Sequence, residues 1–352
     1  MTAHTPNERL NNILSGQTPD DAMVAIWNTA PFLNVFGGVA LKDYYMSAEI
    51  KLRVQLDFQK RFPGFFCFPG IWADFGAICE PSAFGCEIFW PDGGMPMAQP
   101  IIQSPSEIQS LKPIDPQKSG LMPQALNDYR YFWDHLEHKY IDTYGYLAGV
   151  AASFGPAELA AVLMGHQNFF LALLEKPEFV HNLLDVTTES VILWLKAHES
   201  VNGPLQRLAI ADHLPGQING AQFEEFWLPY SNRVVTEFPD ATVLYHNEFP
   251  IPYLDALAQF KMHIFHFGGD LTNVKSVLGG SLTLMGNIPP VEILAQGTIE
   301  KVYDSACKTL FRGAEHGRFL LSSGGGLAPE TPIENLAAME KARDDYTFQK
   351  NH

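Results

Sequence analysis

Four cysteines in 352 residues, none in a Cys-x-x-Cys spacing, leave no disulfide framework and no ready-made thiolate clip for a metal. A reducing, cytoplasmic setting is the expectation. Positive charge is also scarce: 23 Lys and Arg face 39 Asp and Glu, for a net charge of −16 and no basic run. That balance excludes nucleic acid as an expected partner. Long apolar runs are missing. The longest, Pro156 to Leu174, is broken by Glu158, His166, Gln167 and Asn168, so no membrane span is expected. The first residues, Met-Thr-Ala-His-Thr-Pro-Asn-Glu-Arg-Leu, lack the basic start and apolar stretch of a signal peptide. No Gly-x-Gly-x-x-Gly follows the first apolar run, and no phosphate loop with Gly-Lys-Ser/Thr occurs. Both absences weaken nucleotide-binding readings.

What is present is a hydrophobic fraction of 46%, enough for one large core. Short runs rich in branched and aromatic residues recur, and strands are predicted near Met23–Asn28, Phe65–Trp72, Tyr146–Ala152, Leu208–His213, Thr242–Glu248, His263–Phe267, Leu282–Gly286 and Phe319–Ser323. Helical spacing lies between most of them, at Ala48–Arg61, Pro177–Ser200, Phe223–Phe238, Tyr253–Phe260, Ile299–Arg312 and Ile333–Tyr346. Pro177 opens one helix and Gly203-Pro204 follows its end. Thr298 reads as a helix entry and Pro332 as a first-turn residue. Strands alternating with helices imply a parallel sheet, and eight units in this length match a (β/α)8 TIM barrel, with an open doubly wound sheet as the alternative. Residues 1–352 read as a single barrel domain. A leading helix over Thr5–Gly16, running on towards Asp21, forms an N-terminal extension. Cys86–Ile102, two extended arms around Asp92-Gly93-Gly94, reads as a β-hairpin insertion.

In such a barrel the active site lies at the carboxyl ends of the strands. The fifth strand ends in Leu244-Tyr-His-Asn-Glu248. His246 and Glu248, two residues apart on a strand, leave it on the same side and can reach one metal ion or one substrate. The other ends carry Trp27 and Asn28; Trp72, Asp74 and Phe75; Phe154-Gly-Pro156; Asp212 and His213; His266 and Asp270; Asn287; and Ser322 to Gly326. Several have purely structural alternatives. Asp212 and Asp270 fit helix caps, His266 fits a hydrogen-bonded barrel histidine, and the aromatic residues fit core packing. Gly324–Gly326 fit a tight turn as well as a ligand grip. His135 and His138 read as one solvated helix face.

Several motifs together resemble the uroporphyrinogen decarboxylase superfamily. They are Leu244-Tyr-His246, Met285-Gly-Asn-Ile-Pro-Pro290, Gly297-Thr298 and Gly324-Gly-Gly-Leu-Ala-Pro-Glu-Thr-Pro332 with Glu334-Asn335. Phe154-Gly-Pro156 and Ala211-Asp212 fit as well, so the resemblance runs from about Asn11 to Tyr346. It implies a single (β/α)8 barrel and either of two activities, porphyrinogen decarboxylation or corrinoid-dependent methyl transfer. The decarboxylases hold substrate carboxylates with arginines near the first strand. Here Ile26-Trp-Asn-Thr-Ala-Pro-Phe-Leu-Asn34 has none, which argues against a polycarboxylated tetrapyrrole. The thiol-directed methyltransferases hold zinc with a His-x-Cys at the fifth strand and a cysteine in the last glycine-rich loop. This chain keeps His246 but has Glu248 and Gly325 at the cysteine positions.

A thiolate-free site would leave zinc harder and suited to an oxygen ligand, which points to O-demethylation. A methyl group would pass from a methoxylated aromatic to the Co(I) corrinoid of a partner protein. No Asp-x-His-x-x-Gly cobalamin motif occurs, so the corrinoid protein is expected as a separate partner. Zinc is expected on His246 and Glu248, with His266 as the candidate for an unfixed third ligand, and Glu248, His246, Asp212 and Asp74 are the expected catalytic groups. Trp27, Asn28, Trp72, Phe75, Phe154, His213 and Asn287 are expected to bind substrate. A metal-free version has Glu248, its pKa raised by burial, protonating the ether oxygen. The alternatives are a methylcorrinoid:thiol methyltransferase and a decarboxylase of another substrate. The assembly is left open between monomer and homodimer.

Overall fold

The computed structural model describes residues 4–17 and 22–351. Eight parallel strands form its centre: β1 Met23–Trp27, β2 Phe65–Phe68, β3 Val150–Phe154, β4 Arg207–Ala211, β5 Thr242–Asn247, β6 Ile264–Phe267, β7 Thr283–Ile288 and β8 Phe319–Ser323. Nearly every residue in them is buried, as expected for parallel strands covered on both faces. The order around the sheet is β2-β1-β8-β7-β6-β5-β4-β3, with helices outside, so the fold is a (β/α)8 barrel. β2 and β3, at the two ends of that order, are not joined by a ladder. The Tyr146 hydroxyl spans this seam, accepting from the Cys67 amide at 3.1 Å and donating to Gln59 Oε1 at 2.5 Å.

All eight predicted strands are present, with shifted ends. β2 stops at Phe68 rather than Trp72, and β3 begins at Val150 rather than Tyr146. The delay of β3 has a local cause. Gly149 holds φ +62°, and a Cβ there would sit 2.4 Å from the Pro204 carbonyl. The chain enters the sheet only after that turn.

Helix ends follow capping chemistry. Thr5 and Glu8 form a capping box on Pro6–Leu14, and the expected continuation of this helix to Asp21 lies outside the described residues. Asp270 caps Leu271–Leu278 by accepting from the amides of Thr272 and Asn273, and Thr298 caps Ile299–Gly313. The predicted helix at Phe223–Phe238 is interrupted. Phe223–Trp227 is a widened π turn before Leu228–Thr236, where Pro229 cannot donate an amide hydrogen. At Tyr253–Phe260 only Leu254–Leu257 is helical. His135 and His138 do not share a helix: one ends Met122–His135 and the other begins His138–Tyr144. The insertion is a short hairpin in which Ile88–Phe89 pairs antiparallel with Met97–Ala98. Among the described residues no single helix is long and apolar enough to cross a membrane. The apolar stretch after Pro156 is two helices bent by 106° at Gly165.

Candidate active site at the barrel mouth

Parallel register sets the centre of the site. His246 of β5 lies beside Ala211 of β4 on one side and His266 of β6 on the other. The His246 ring is buried and stacks on Trp27, with centroids 4.6 Å apart and planes 6° apart. Its Nδ1 lies 2.8 Å from His266 Nδ1, and His266 Nε2 lies 3.0 Å from the Ser323 carbonyl. A carbonyl only accepts, so His266 carries its hydrogen on Nε2 and leaves Nδ1 as an acceptor. His246 must then donate from Nδ1. The chain of bonds thereby fixes a bare lone pair on His246 Nε2. Burial keeps both rings neutral: it lowers His246, and it holds His266, next to His246, down at about 3.

That lone pair faces a second electron-rich group. Glu248 Oε1 lies 3.5 Å from His246 Nε2 and accepts from the Gly326 amide at 2.7 Å. Burial pushes the Glu248 carboxyl up, but the hydrogen bond from the Gly326 amide favours the ionised form, and the carboxyl lies below its ordinary range. Glu248 is therefore an anion, and the expectation of a raised, proton-donating Glu248 is corrected. Its carboxylate fills the space left by a missing side chain. A Cβ on Gly325 would lie 2.7 Å from Glu248 Cδ and 2.9 Å from Cγ. None of Gly324, Gly325 and Gly326 has positive φ, so this loop uses glycine for close approach and not for a left-handed turn.

The third member of the cluster is His213. Its ring meets His246 edge-on with centroids 5.5 Å apart, and its buried Nε2 has no hydrogen-bond partner among the described residues. Ligand atoms of His213, His246 and Glu248 all lie within 4.8 Å of one another. His213, expected to bind substrate, belongs to this cluster, and His266, expected as a metal ligand, does not. Both nitrogens of His266 are spent on His246 and Ser323, so it orients a neighbour and offers nothing to a metal. His213 is held by Glu158, whose Oε2 accepts from the amides of His213 and Leu214, both at 3.0 Å. Asp212, expected to be catalytic, lies off the cavity. It is fully buried and accepts from the Trp227 indole at 2.6 Å and the Leu214 amide at 3.0 Å. Burial and the nearby Glu158 carboxylate push Asp212 well above the ordinary carboxyl range.

A cavity of about 520 Å³ opens above these groups. Trp27, Trp72, Phe75, Phe154 and Asp74 line it, where the sequence reading places a substrate. Burial raises Asp74 to about 6, although its oxygens accept from the Ala30 amide at 2.9 Å and the Gly76 amide at 2.8 Å. Two expected substrate contacts fall elsewhere. Asn28 has a buried side chain outside the lining, and only its carbonyl matters nearby, accepting from the Trp72 indole at 2.8 Å. Asn287 donates to the Gly269 carbonyl and lines a separate depression with Asp270 and Pro289. Among the described residues no lysine or arginine lines the main cavity.

Sequence reading missed four contributors. Glu80, Tyr129, Trp194 and His198 line the cavity from outside the strand ends. Glu80 Oε1 accepts from the Ser153 hydroxyl and the Phe154 amide, both at 3.1 Å. Tyr129, Trp194 and His198 come from outer helices, which a search of strand ends does not reach. Glu158 carried a signal, as a carboxylate set inside the most apolar stretch of the chain.

Residues 5–346 match the uroporphyrinogen decarboxylase (URO-D) family. The uroporphyrinogen decarboxylase of Campylobacter concisus is 28% identical over 168 residues, covering 46% of this chain and 48% of that protein. A methylcobamide:CoM methyltransferase, MtaA, of Methanosarcina barkeri is 29% identical over 197 residues, covering 54% of this chain and 56% of that protein. The matched stretches thus span about half the length of these two relatives. A solved methyltransferase structure from Methanosarcina mazei superimposes with a TM-score of 0.81 at 20% identity, covering 98% of this chain and 99% of that one. That likeness supports the barrel topology. With its strand order, mouth and glycine-rich last loop in place, the chain belongs to the uroporphyrinogen decarboxylase family.

Proposed function

We propose that this protein transfers a methyl group from the ether oxygen of a methoxylated aromatic to the Co(I) corrinoid of a separate partner protein. Relatives in the family include both decarboxylases and a methylcobamide methyltransferase. Against decarboxylation of a polyanionic substrate stands a cavity that, among the described residues, no lysine or arginine lines. The observation that carries the reading is the donor set. A bare His246 Nε2, an ionised Glu248 oxygen 3.5 Å away and a partnerless buried His213 Nε2 converge on one point. The His246 electron pair and the Glu248 carboxylate at that spacing repel one another unless a proton or a cation lies between them. Two imidazoles and a carboxylate fit zinc, with a further position left for substrate.

Bound there, zinc would supply the Lewis acidity that makes an aryloxide a competent leaving group. The protein's own residues do the rest. Ser323 and His266 hold His246 in one tautomer, and Glu158 fixes the loop bearing His213. Trp27, Trp72, Phe75 and Phe154 present ring faces and edges suited to an arene and exclude water from it. Asp74, raised to about 6, is a lining carboxyl able to share a proton near neutral pH. In the overall change the methyl carbon leaves oxygen with both electrons of the C–O bond remaining on the aryloxide. Co(I) provides the pair for the new bond, and the aryloxide takes up a proton.

The test uses free cobalamin reduced to Co(I) as acceptor, methoxylated arenes, thiols and methanol as donors, and the visible spectrum of methylcobalamin as readout. Methylcobalamin should form from the arenes, with about one zinc per chain, and both should be lost in His213→Ala and Glu248→Ala. Undiminished transfer by metal-stripped protein, or transfer from thiols alone, would overturn the proposal.

A further inference from the structure

Away from the metal cluster, the cavity reaches outward past the loop after β2 to the helices Met122–His135 and Pro177–Asn202. His198 lines this deep lobe and is 2% exposed. Its ring meets Trp194 edge-on at 4.2 Å between centroids and Tyr129 at 5.2 Å. Neither of its ring nitrogens has a hydrogen-bond partner among the described residues. An imidazole buried this way forfeits a donor and an acceptor, a penalty native interiors seldom leave standing. Burial also keeps the ring neutral, at about 3.

The carboxyls that line the lobe are already engaged in part. Both Asp74 oxygens accept backbone amides, and Glu80 Oε1 accepts from Ser153 and Phe154. Among the described residues, the buried side-chain atoms of this lobe left without a hydrogen-bond partner are the two ring nitrogens of His198, one donor and one acceptor. A hydroxyl complements either nitrogen, because it both donates and accepts. A carboxylate would share the cavity with the Asp74 and Glu80 carboxyls. The aromatic walls fit a flat ring bearing that hydroxyl.

We infer that the deep lobe is a specificity subsite for a neutral ring hydroxyl, bonded by His198, so that the preferred substrates are phenolic methyl ethers and not hydroxyl-free ones. The inference rests on the proposed ether chemistry for its substrate class, but the hydroxyl preference is measured apart from that chemistry. Dissociation constants are taken by calorimetry on the full chain for two probe pairs, para-methoxyphenol against anisole and the ether-free para-cresol against toluene. In the wild type each phenol should bind at least about tenfold more tightly than its partner. In His198→Phe both ratios should fall to near one, and in His198→Gln, which keeps a donor and an acceptor, they should largely return. Ring ¹⁵N shifts of His198 should move on adding para-cresol and stay put on adding toluene, which reads the contact without any substitution. Ratios near one in the wild type, or ratios unchanged in a folded His198→Phe, would overturn the inference. A preserved para-cresol preference without methylcobalamin from any ether would sink the ether reading alone. Methylcobalamin formed equally from anisole and para-methoxyphenol, with ratios near one, would sink the subsite alone.

Discussion

Gly325→Ala separates the requirements of the site from those of the fold. The glycine has no positive φ, so alanine is tolerated by the backbone. What the new methyl group meets is Glu248, at 2.7 Å from Cδ and 2.8 Å from Oε1. The Glu248 side chain is 43% exposed, so it can swing aside, and the fold should lose no more than about 1 kcal/mol. The swing breaks the charged hydrogen bond from the Gly326 amide, 2.7 Å long, and carries the carboxylate away from His246. A hydrogen bond to a charged group contributes about 1.5–3 kcal/mol, which corresponds to about 10- to 150-fold in zinc affinity. Competition with a chromophoric chelator measures that affinity, and thermal unfolding of the apo-protein monitors the fold. The same substitution in a Glu248→Ala background should change zinc affinity little, because nothing remains to be displaced. Zinc binding within threefold of wild type in Gly325→Ala, or additive effects in the double variant, would refute the account.

Other expectations follow from the same geometry. His266→Phe should weaken zinc binding about 10- to 100-fold by freeing the His246 tautomer, and His266→Asn should recover part of the loss; equal affinities would remove the relay. Asp74 has a folded pKa of about 6, above its unfolded value of 3.8. Its contribution to stability is therefore complete below about pH 4 and lost as pH rises through about 6. Asp74→Asn should gain about 1 kcal/mol relative to wild type between pH 5 and pH 8, read by urea denaturation at each pH. His198 has the opposite sign. Its folded pKa, about 3, lies below the unfolded 6.5, so stability is present at neutral pH and lost as pH falls below about 6.5. Wild type should lose about 2 kcal/mol more than His198→Phe between pH 7 and pH 5, and identical acid sensitivity would contradict the burial argument.

The strands were legible because buried parallel strands are nearly continuous apolar runs, and helix entries were legible where Thr298, Pro177 and Asp270 mark them chemically. The pairing of His246 with Glu248 was legible because two-residue periodicity on a strand needs no tertiary information. The choice between His213 and His266 was not. Both stand at strand ends, and what separates them is the Ser323 carbonyl that consumes one nitrogen of His266. That carbonyl belongs to another strand and carries no side-chain signature. The buried roles of Asp212 and Asn28 depended on Trp227 and on chain direction beyond the strand ends. The deep lobe depended on outer helices meeting across the molecule.

The gap between β2 and β3 bears on how such a protein diversifies. At every other join the backbone is laced to its neighbour, and a widening there would break ladder bonds. The cavity walls made by Tyr129, Trp194 and His198 belong to peripheral helices, whose backbones form no ladder with the sheet. Descendants could exchange those three side chains for others, trading one guest for another, while the chemistry on β4 and β5 passed down unaltered.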